Sequence, residues 1–424
     1  MFTFFLIAVF VIGYIAIAFE HPLRLNKAAS AMITGVLCWT IYMFSSASAE
    51  TVTDELLHHL GEIASILFFL LGAMTIVELI DTHNGFEFIT RHITTRSKSR
   101  LLIIVVVITF FLSALLDNLT TAIVMASLCA RLLKNKEDKL WFCGMIVISA
   151  NAGGAWSPLG DVTTTMLWIG GQITALNIMK QLILPSLVVC ALPLTLVAWR
   201  FRGQQIDRLE EKNDQTKAEK KEGLLILFSG IGFLVFVPVF KTLTHLPPFM
   251  GMLLALGLMW VITTFLHKDK EPEQLEKLTV ARALQKVDSP SILFFLGILL
   301  AVSSLQSAGL LQTGASWLSN TLGNDYMIGS FLGLLSAVVD NVPLVAASQG
   351  MYDLQTYPTD HPFWEFLALT TGTGGSAIII GSAAGVAVMG IEKIDFMWYL
   401  RNISWLALIG FAGGIAVFLL QMQF

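Results

Sequence analysis

Charge is missing from long stretches of this chain. Between Arg100 and Arg131 the only charged side chain is Asp117, and from Ser289 to Asn324 there is none. Apolar runs of about 20 residues are what a helix needs to cross a bilayer, and they recur along the whole sequence. With 55% hydrophobic residues, 13% charged residues and a mean hydropathy of +0.73, the chain exceeds the apolar content of soluble domains. The expected class is an all-α polytopic membrane protein, because in hydrocarbon every backbone group must be satisfied within its own segment. The alternating segments of about ten residues that mark a membrane β-barrel do not occur.

Spans are expected over 2–19, 28–45, 62–81, 177–199, 223–240, 247–266, 289–309 and 397–420. Hairpins are expected over about 101–133 and 325–352, and broken spans over 142–168 and 364–390. The second half repeats the first. Ser65-Ile66-Leu67-Phe68-Phe69-Leu70 returns as Ser291-Ile292-Leu293-Phe294-Phe295-Leu296, and three landmarks keep their order at nearly one offset. The domains are then a first repeat over 1–200, a charged cytoplasmic linker over 201–222 and a second repeat over 223–424. Cys38, Cys129, Cys143 and Cys190 follow no disulfide or zinc spacing and read as core residues. The first segment lacks the basic flank and cleavage site of a signal peptide and reads as a retained span with its N-terminus outside. A net charge of −4 with no basic face gives nucleic acid nothing to bind.

Two stretches carry chemistry into the apolar background. Ser113-Ala114-Leu115-Leu116-Asp117-Asn118-Leu119-Thr120 is echoed by Ser336-Ala337-Val338-Val339-Asp340-Asn341-Val342-Pro343. Intramembrane carboxylates are expensive and mark ion or substrate pathways, although Asp and Asn also cap helices. Downstream of each copy lies a glycine-rich interruption, with Gly153, Gly154 and Pro158 in the first and Gly372, Gly374 and Gly375 in the second. Matched broken segments in two halves point to the binding site of a transporter. Close helix packing is the competing reading of the glycines. Asn151, Asp161, Thr163 and Thr164 flank the first break, Ser376 and Ser382 the second. Carboxylate, amide and hydroxyl oxygens suit a small hard cation.

Charge also sets the expected topology. If each hairpin returns to the side it entered, each half crosses five times and the second half is inverted. With the N-terminus outside, the loops 20–27, 82–100, 131–141, 200–222, 267–288 and 391–401 are cytoplasmic and hold 24 of the 26 Lys and Arg residues. His58, His59 and Glu62 are candidates for pH sensing or a solvated surface group, and Glu78 and Asp81 for support or for pairing with Arg91, Arg96 or Arg100. No nucleotide loop and no metalloprotease, redox or serine-hydrolase motif occurs, so an enzyme is not expected, nor is a cofactor.

The Ser-Ala-x-x-Asp-Asn pairs, the run from Asn151 to Thr164 and Thr371-Gly372-Thr373-Gly374-Gly375-Ser376 with Gly381-Ser382-Ala383-Ala384-Gly385 closely resemble the NhaD-type sodium/proton antiporters of the ion-transporter superfamily. The resemblance covers essentially the whole chain. It implies exchange of Na⁺ or Li⁺ for H⁺ across a bacterial inner membrane, and a homodimer working by an elevator-type movement in the lipid bilayer. It implies Asp117, Asn118, Asn151, Asp161, Thr163, Thr164, Asp340, Asn341, Ser376 and Ser382 as cation and proton ligands. Related branches carry dicarboxylates or arsenite, but an acid at each hairpin tip repels anions. A passive cation channel is the remaining reading and requires a continuous pore.

Overall fold

The computed structural model describes residues 2–45, 48–88, 95–206, 217–268, 270 and 278–423. The apolar runs become helices: α1 (Phe2–Ala18), α2 (Lys27–Ser45), α3 (Ala49–Thr82), α4 (Lys98–Leu116), α5 (Asn118–Leu132), α6 (Lys136–Ala155), α7 (Val162–Ile169) and α8 (Ala175–Arg200). After the charged linker come α9 (Lys217–Thr244), α10 (Pro248–Leu266), α11 (Ser289–Ser307), α12 (Leu310–Leu322), α13 (Asp325–Leu335), α14 (Asn341–Met351), α15 (Pro362–Gly374), α16 (Ala383–Glu392) and α17 (Ser404–Gln421). Eight of these are long and apolar enough to cross a membrane. Among the described residues the one β-bridge pairs Ser97 with Gln205.

The helices sort into two groups by what they touch. In the first, α2 packs on α1 and α11, and α3 packs on α10 and α11, with α9 against α10. In the second, α6 packs on α4, α5 and α8, α15 on α13 and α17, and α16 on α5 and α6. Each group draws helices from both halves of the sequence. At the centre of the second group, α6 is buried at every position from Leu140 to Ala155, and α15 from Phe363 to Gly374. A helix apolar all round belongs in an interior.

Both hairpins turn back on themselves. Lys98, which opens α4, forms an ion pair with Asp138, in the first turn of the helix that follows α5. Asp325, which opens α13, accepts a hydrogen bond of 3.0 Å from Tyr357 Oη, just beyond α14. The two mouths lie at opposite ends of α8. Its start is tied to the second mouth, where Asp360 accepts from Thr174 N at 2.6 Å, and the chain after its end to the first, where Gln204 accepts from Lys98 Nζ at 3.1 Å. At 26 residues α8 is about 39 Å long, enough to cross a bilayer.

The two broken spans share one construction. An added Cβ at Gly153 meets the carbonyl oxygen of Phe110 at 2.2 Å, and one at Gly374 meets that of Gly333 at 1.9 Å. Ser113 Oγ donates to the Ala150 carbonyl at 2.6 Å, and Ser336 Oγ to that of Thr371 at 2.8 Å. Each glycine thus lets a hairpin arm rest directly on the backbone of a broken helix. The expected breaks shift slightly for this reason: Gly153, Gly154, Gly372 and Gly374 sit in the last helical turns, and the chain leaves the helix only at Trp156 and Gly375.

Three boundaries differ from expectation. α3 begins at Ala49 rather than 62, capped by Ser48, and its 34 residues exceed a bilayer crossing because early turns bearing Glu50, Asp54 and His58 extend past the apolar stretch. α9 starts inside the expected linker at Lys217, while 207–216 lie outside the described residues. The helix α12 was not expected. Gly309 and Gly323 bracket it with φ of 71° and 64°, and Leu311, Ala315 and Leu318 bury one stripe.

Candidate functional site

Helix ends converge where the two broken spans meet the two hairpin tips. Asp117 separates α4 from α5 as a single residue and caps α5, its carboxylate accepting from Thr120 N and Oγ1 at 2.8 Å each. Thr120 is thus the residue capped. Asp117 takes φ 87° and ψ 155°, a region reserved almost entirely for glycine and costing about 1–3 kcal/mol. Asp340 caps α14 from an unstrained conformation, accepting from Val342 N at 3.1 Å. Asp161 caps α7 and Ser382 caps α16, so the two breaks place an acid and a hydroxyl at matching positions.

Asp161 is the hub. It is 1% exposed. One carboxylate oxygen accepts from Thr163 N at 2.8 Å and Thr163 Oγ1 at 2.6 Å, and the other accepts from Asn118 Nδ2 at 2.5 Å. Asn341 Nδ2, from the second hairpin, lies 3.3 and 3.4 Å from the two oxygens. Asn118 Nδ2 also donates to Asn151 Oδ1 at 3.1 Å, and Asn151 Nδ2 reaches Ser376 Oγ at 2.9 Å and Ser382 Oγ at 3.0 Å. Asn118, Asn151, Asp161, Thr163, Asn341, Ser376 and Ser382 therefore form one continuous buried network drawn from both halves.

The remaining expected residues stand around it or apart. Thr164 turns its hydroxyl to the Ser157 and Asp161 carbonyls at 2.7 and 2.8 Å and braces the break. Asp340 and Ser382 line a cavity of about 570 Å³ that runs past Tyr14 to Glu20 and Lys27. Tyr14 Oη is buried there beside Asp340. A tyrosine inside an apolar span gave no pattern by which sequence reasoning could pick it. His59 and Glu62 line a separate cavity of about 370 Å³ with Gln172 and Gln349, and His58 and His59 lie 3.6 and 3.4 Å from Glu62. Glu78 pairs with Lys286 of the second half at 2.8 Å rather than with Arg96 or Arg100, because the short helix Val280–Lys286 packs on α3. Arg91 lies outside the described residues. Asp81 borders a pocket with Arg131. None of these five joins the Asp161 network.

Known proteins match this sequence along nearly its whole length. The family described as CitMHS, citrate transporter, matches residues 14–372. Sodium/proton antiporter 1 of Arabidopsis thaliana is 49% identical over 97% of this chain and 71% of its own length, and sodium/proton antiporter 2 of the same plant is 45% identical over 98% and 99%. The Na⁺/H⁺ antiporter NhaD of Vibrio cholerae is 31% identical over 97% of this chain and 90% of its own length. The chain belongs to the CitMHS transporter family and to the NhaD-type sodium/proton antiporters. As a family member it is a multi-pass membrane transporter and not an enzyme, in keeping with its eight spanning-length helices. The NhaD-type resemblance read from Asn151–Thr164 and the Asp-Asn pairs is thereby met by likeness over the entire chain.

Proposed function

We propose that this protein exchanges Na⁺, with Li⁺ as a second substrate, for H⁺, and that both bind at the Asp161 network. One observation carries the reading: a fully buried carboxylate is contacted by the tips of both hairpins, one from each half. In the geometry observed, Asn118 and Asn341 offer their NH₂ groups to Asp161. Turning either amide about its last torsion presents a carbonyl oxygen instead, and an amide carbonyl beside a carboxylate is a ligand set for a hard monovalent cation. Asp117 and Asp340 sit one residue away on the same tips and add negative charge.

Coupling follows from charge. A bare carboxylate is costly to carry through a low-dielectric interior, whereas one neutralised by Na⁺ or by H⁺ is not. Only loaded forms cross, so release of one ion on a given side requires uptake of the other. Neighbouring acids titrate together, and exchange of more than one proton per Na⁺ moves net charge and responds to membrane potential. The division of helices into two groups supports an elevator-type movement of the hairpin-bearing group, and the cavity past Asp340 supports access from the side of Glu20 and Lys27. The homodimer and residence in a bacterial inner membrane rest on the NhaD-type resemblance and on bacterial relatives such as that of Vibrio cholerae.

The CitMHS match keeps an anion reading in view. Fluorescence dequenching in inverted vesicles separates the two: Na⁺ and Li⁺ collapse a pre-formed pH gradient and K⁺, citrate and succinate do not. A response to citrate or succinate without one to Na⁺ reverses the assignment. The placement of the hairpin mouths at the two ends of α8 supports inverted repeats, with the basic loops on the cytoplasmic side. Cysteines introduced at Leu133 to Asn135 and at Asp353 to Gln355, in a background lacking the four native cysteines, are expected to label from the cytoplasm and from outside respectively. Labelling of both from one side rules out the inversion.

Asp117→Asn and Asp340→Asn are each expected to lower transport, since Asn caps a helix as well as Asp but brings no charge. Normal exchange in both variants removes the two tip carboxylates from the ion site.

A further inference from the structure

Far from the Asp161 network, three side chains from three helices meet just beyond the membrane-spanning segments. His83 follows the last turn of α3, His267 follows α10, and Glu222 lies near the start of α9. Both imidazoles are buried. Among the described residues, no other three His, Cys, Asp or Glu side chains bring a ligand atom each within 4.8 Å of one another.

The geometry points to a binding site for a divalent cation of the zinc class, held by His83 Nε2, His267 Nε2 and a carboxylate oxygen of Glu222. His83 Nε2 lies 3.1 Å from His267 Nε2, His267 Nε2 lies 2.7 Å from Glu222 Oε1, and Glu222 Oε1 lies 3.8 Å from His83 Nε2. Tetrahedral zinc, with bonds of about 2.0–2.1 Å, sets its ligands about 3.3 Å apart. The observed triangle brackets that spacing, so small side-chain adjustments suffice to admit the ion. Two imidazoles and one carboxylate form a borderline-soft set that suits zinc-class ions better than Na⁺, Ca²⁺ or Mg²⁺.

Hydrogen-bond direction supplies a second, independent argument. His83 Nδ1 lies 2.7 Å from the Leu79 carbonyl oxygen and must donate to it. That bond makes Nδ1 the protonated nitrogen and leaves Nε2 with a bare lone pair facing the centre of the triangle. A ligating histidine is held in the same way, its second ring nitrogen bonded to a backbone carbonyl. His267 Nε2 lies within hydrogen-bond reach of both His83 Nε2 and Glu222, and since Lys270 already serves Glu222, a cation at the centre of the triangle takes the place of one shared proton.

The backbone is shaped to bring these residues together. An added Cβ at Gly223 meets the His83 carbonyl oxygen at 2.5 Å, so the start of α9 lies directly on the end of α3. His267 borders a cavity of about 310 Å³ with Lys268 and Thr279, which offers a route inward. Lys270 Nζ lies 2.5 Å from Glu222 Oε1 and is the cation with which a metal competes. A bound ion ties α3 of the first half to α9 and α10 of the second, within one helix group.

Equilibrium dialysis of the purified, chelator-stripped full chain against Zn²⁺ tests this. One Zn²⁺ per chain is expected, weakened by about 100-fold or more in His83→Ala and in His267→Ala, with Asp161→Asn and the His58→Ala/His59→Ala double variant unchanged. Lys270→Ala is expected to tighten binding and to report on the site even if the histidine variants do not fold. The proposal is overturned by absence of stoichiometric Zn²⁺, by binding that depends on His58 and His59 or on Asp161, or by unaltered affinity in Lys270→Ala.

Discussion

Asp161→Asn is expected to abolish sodium-dependent proton movement in a protein that still folds. Asn matches Asp in size and keeps an oxygen for Thr163 N, which now donates at 2.8 Å. What it loses is charge, and what it adds is an NH₂ group that meets the NH₂ groups of Asn118 and Asn341. Because the amides turn away from Asp161 to receive the cation, the loss falls on the charge itself, the one anionic ligand of the network, and Na⁺ affinity is expected to fall by at least about a hundredfold, at about 1.4 kcal/mol per tenfold. Ser382→Ala removes a neutral hydroxyl 3.0 Å from Asn151 and is expected to weaken Na⁺ binding by about fivefold, at about 1 kcal/mol for a neutral hydrogen bond. The two variants also differ in kind. Asp161→Asn alters the dependence on pH because it removes a group for which H⁺ and Na⁺ compete, whereas Ser382→Ala moves the profile less. Apparent Na⁺ affinity measured across a series of pH values separates them. Equal pH shifts, or none in Asp161→Asn, take Asp161 out of the proton pathway.

Gly374→Ala is expected to be among the most destabilising single substitutions in the chain. Its new Cβ falls 1.9 Å from the Gly333 carbonyl oxygen and 2.7 Å from the carbon of that carbonyl. Both are backbone atoms where the buried face of α13 meets α15, so no flexible side chain can move aside. Overpacking commonly costs about 1–3 kcal/mol, and a clash of this depth against backbone belongs at or above the top of that range. Gly153→Ala repeats the experiment in the first half, against Phe110 at 2.2 Å. Gly61→Ala is the control: nothing lies within 4 Å of its Cβ, and alanine in an exposed helix is favoured over glycine by about 0.5–1 kcal/mol. Thermal melting in detergent reads all three. A Gly374→Ala protein that melts with the wild type refutes the close crossing of α13 and α15.

Much of the architecture was legible because a membrane leaves a chain few options. Spans followed from apolar length, and the paired Asp117-Asn118 and Asp340-Asn341 tips stood out because charge is conspicuous where it is scarce. The network itself was only half readable. Asn151 and Asp161 flank one break, but Asn118 lies 33 and 43 residues before them, and nothing in that spacing foretold that it would bridge the two. Nor did sequence show that Asp161, which follows the first glycine break, would be the hub: all three acids cap helices, and Asp161 alone meets the amides of both hairpin tips. That distinction depends on which helix end each carboxylate meets. Local pattern also failed at α12, whose brackets of Gly309 and Gly323 were visible but whose apolar stripe is short, and at Glu78, whose partner Lys286 lies 208 residues away. The His83–His267–Glu222 group was invisible for the same reason, its members coming from three separate helix ends.

The central claim is that one buried carboxylate network, built from both halves, holds Na⁺ or H⁺ but not both. Proton release on cation addition tests it most directly, read with a pH-sensitive dye on purified protein in weakly buffered detergent. Na⁺ and Li⁺ are expected to release protons, K⁺, choline and succinate are not, and Asp161→Asn is expected to release none on Na⁺ addition. Absence of release from the wild type, or equal release from Asp161→Asn, contradicts the claim.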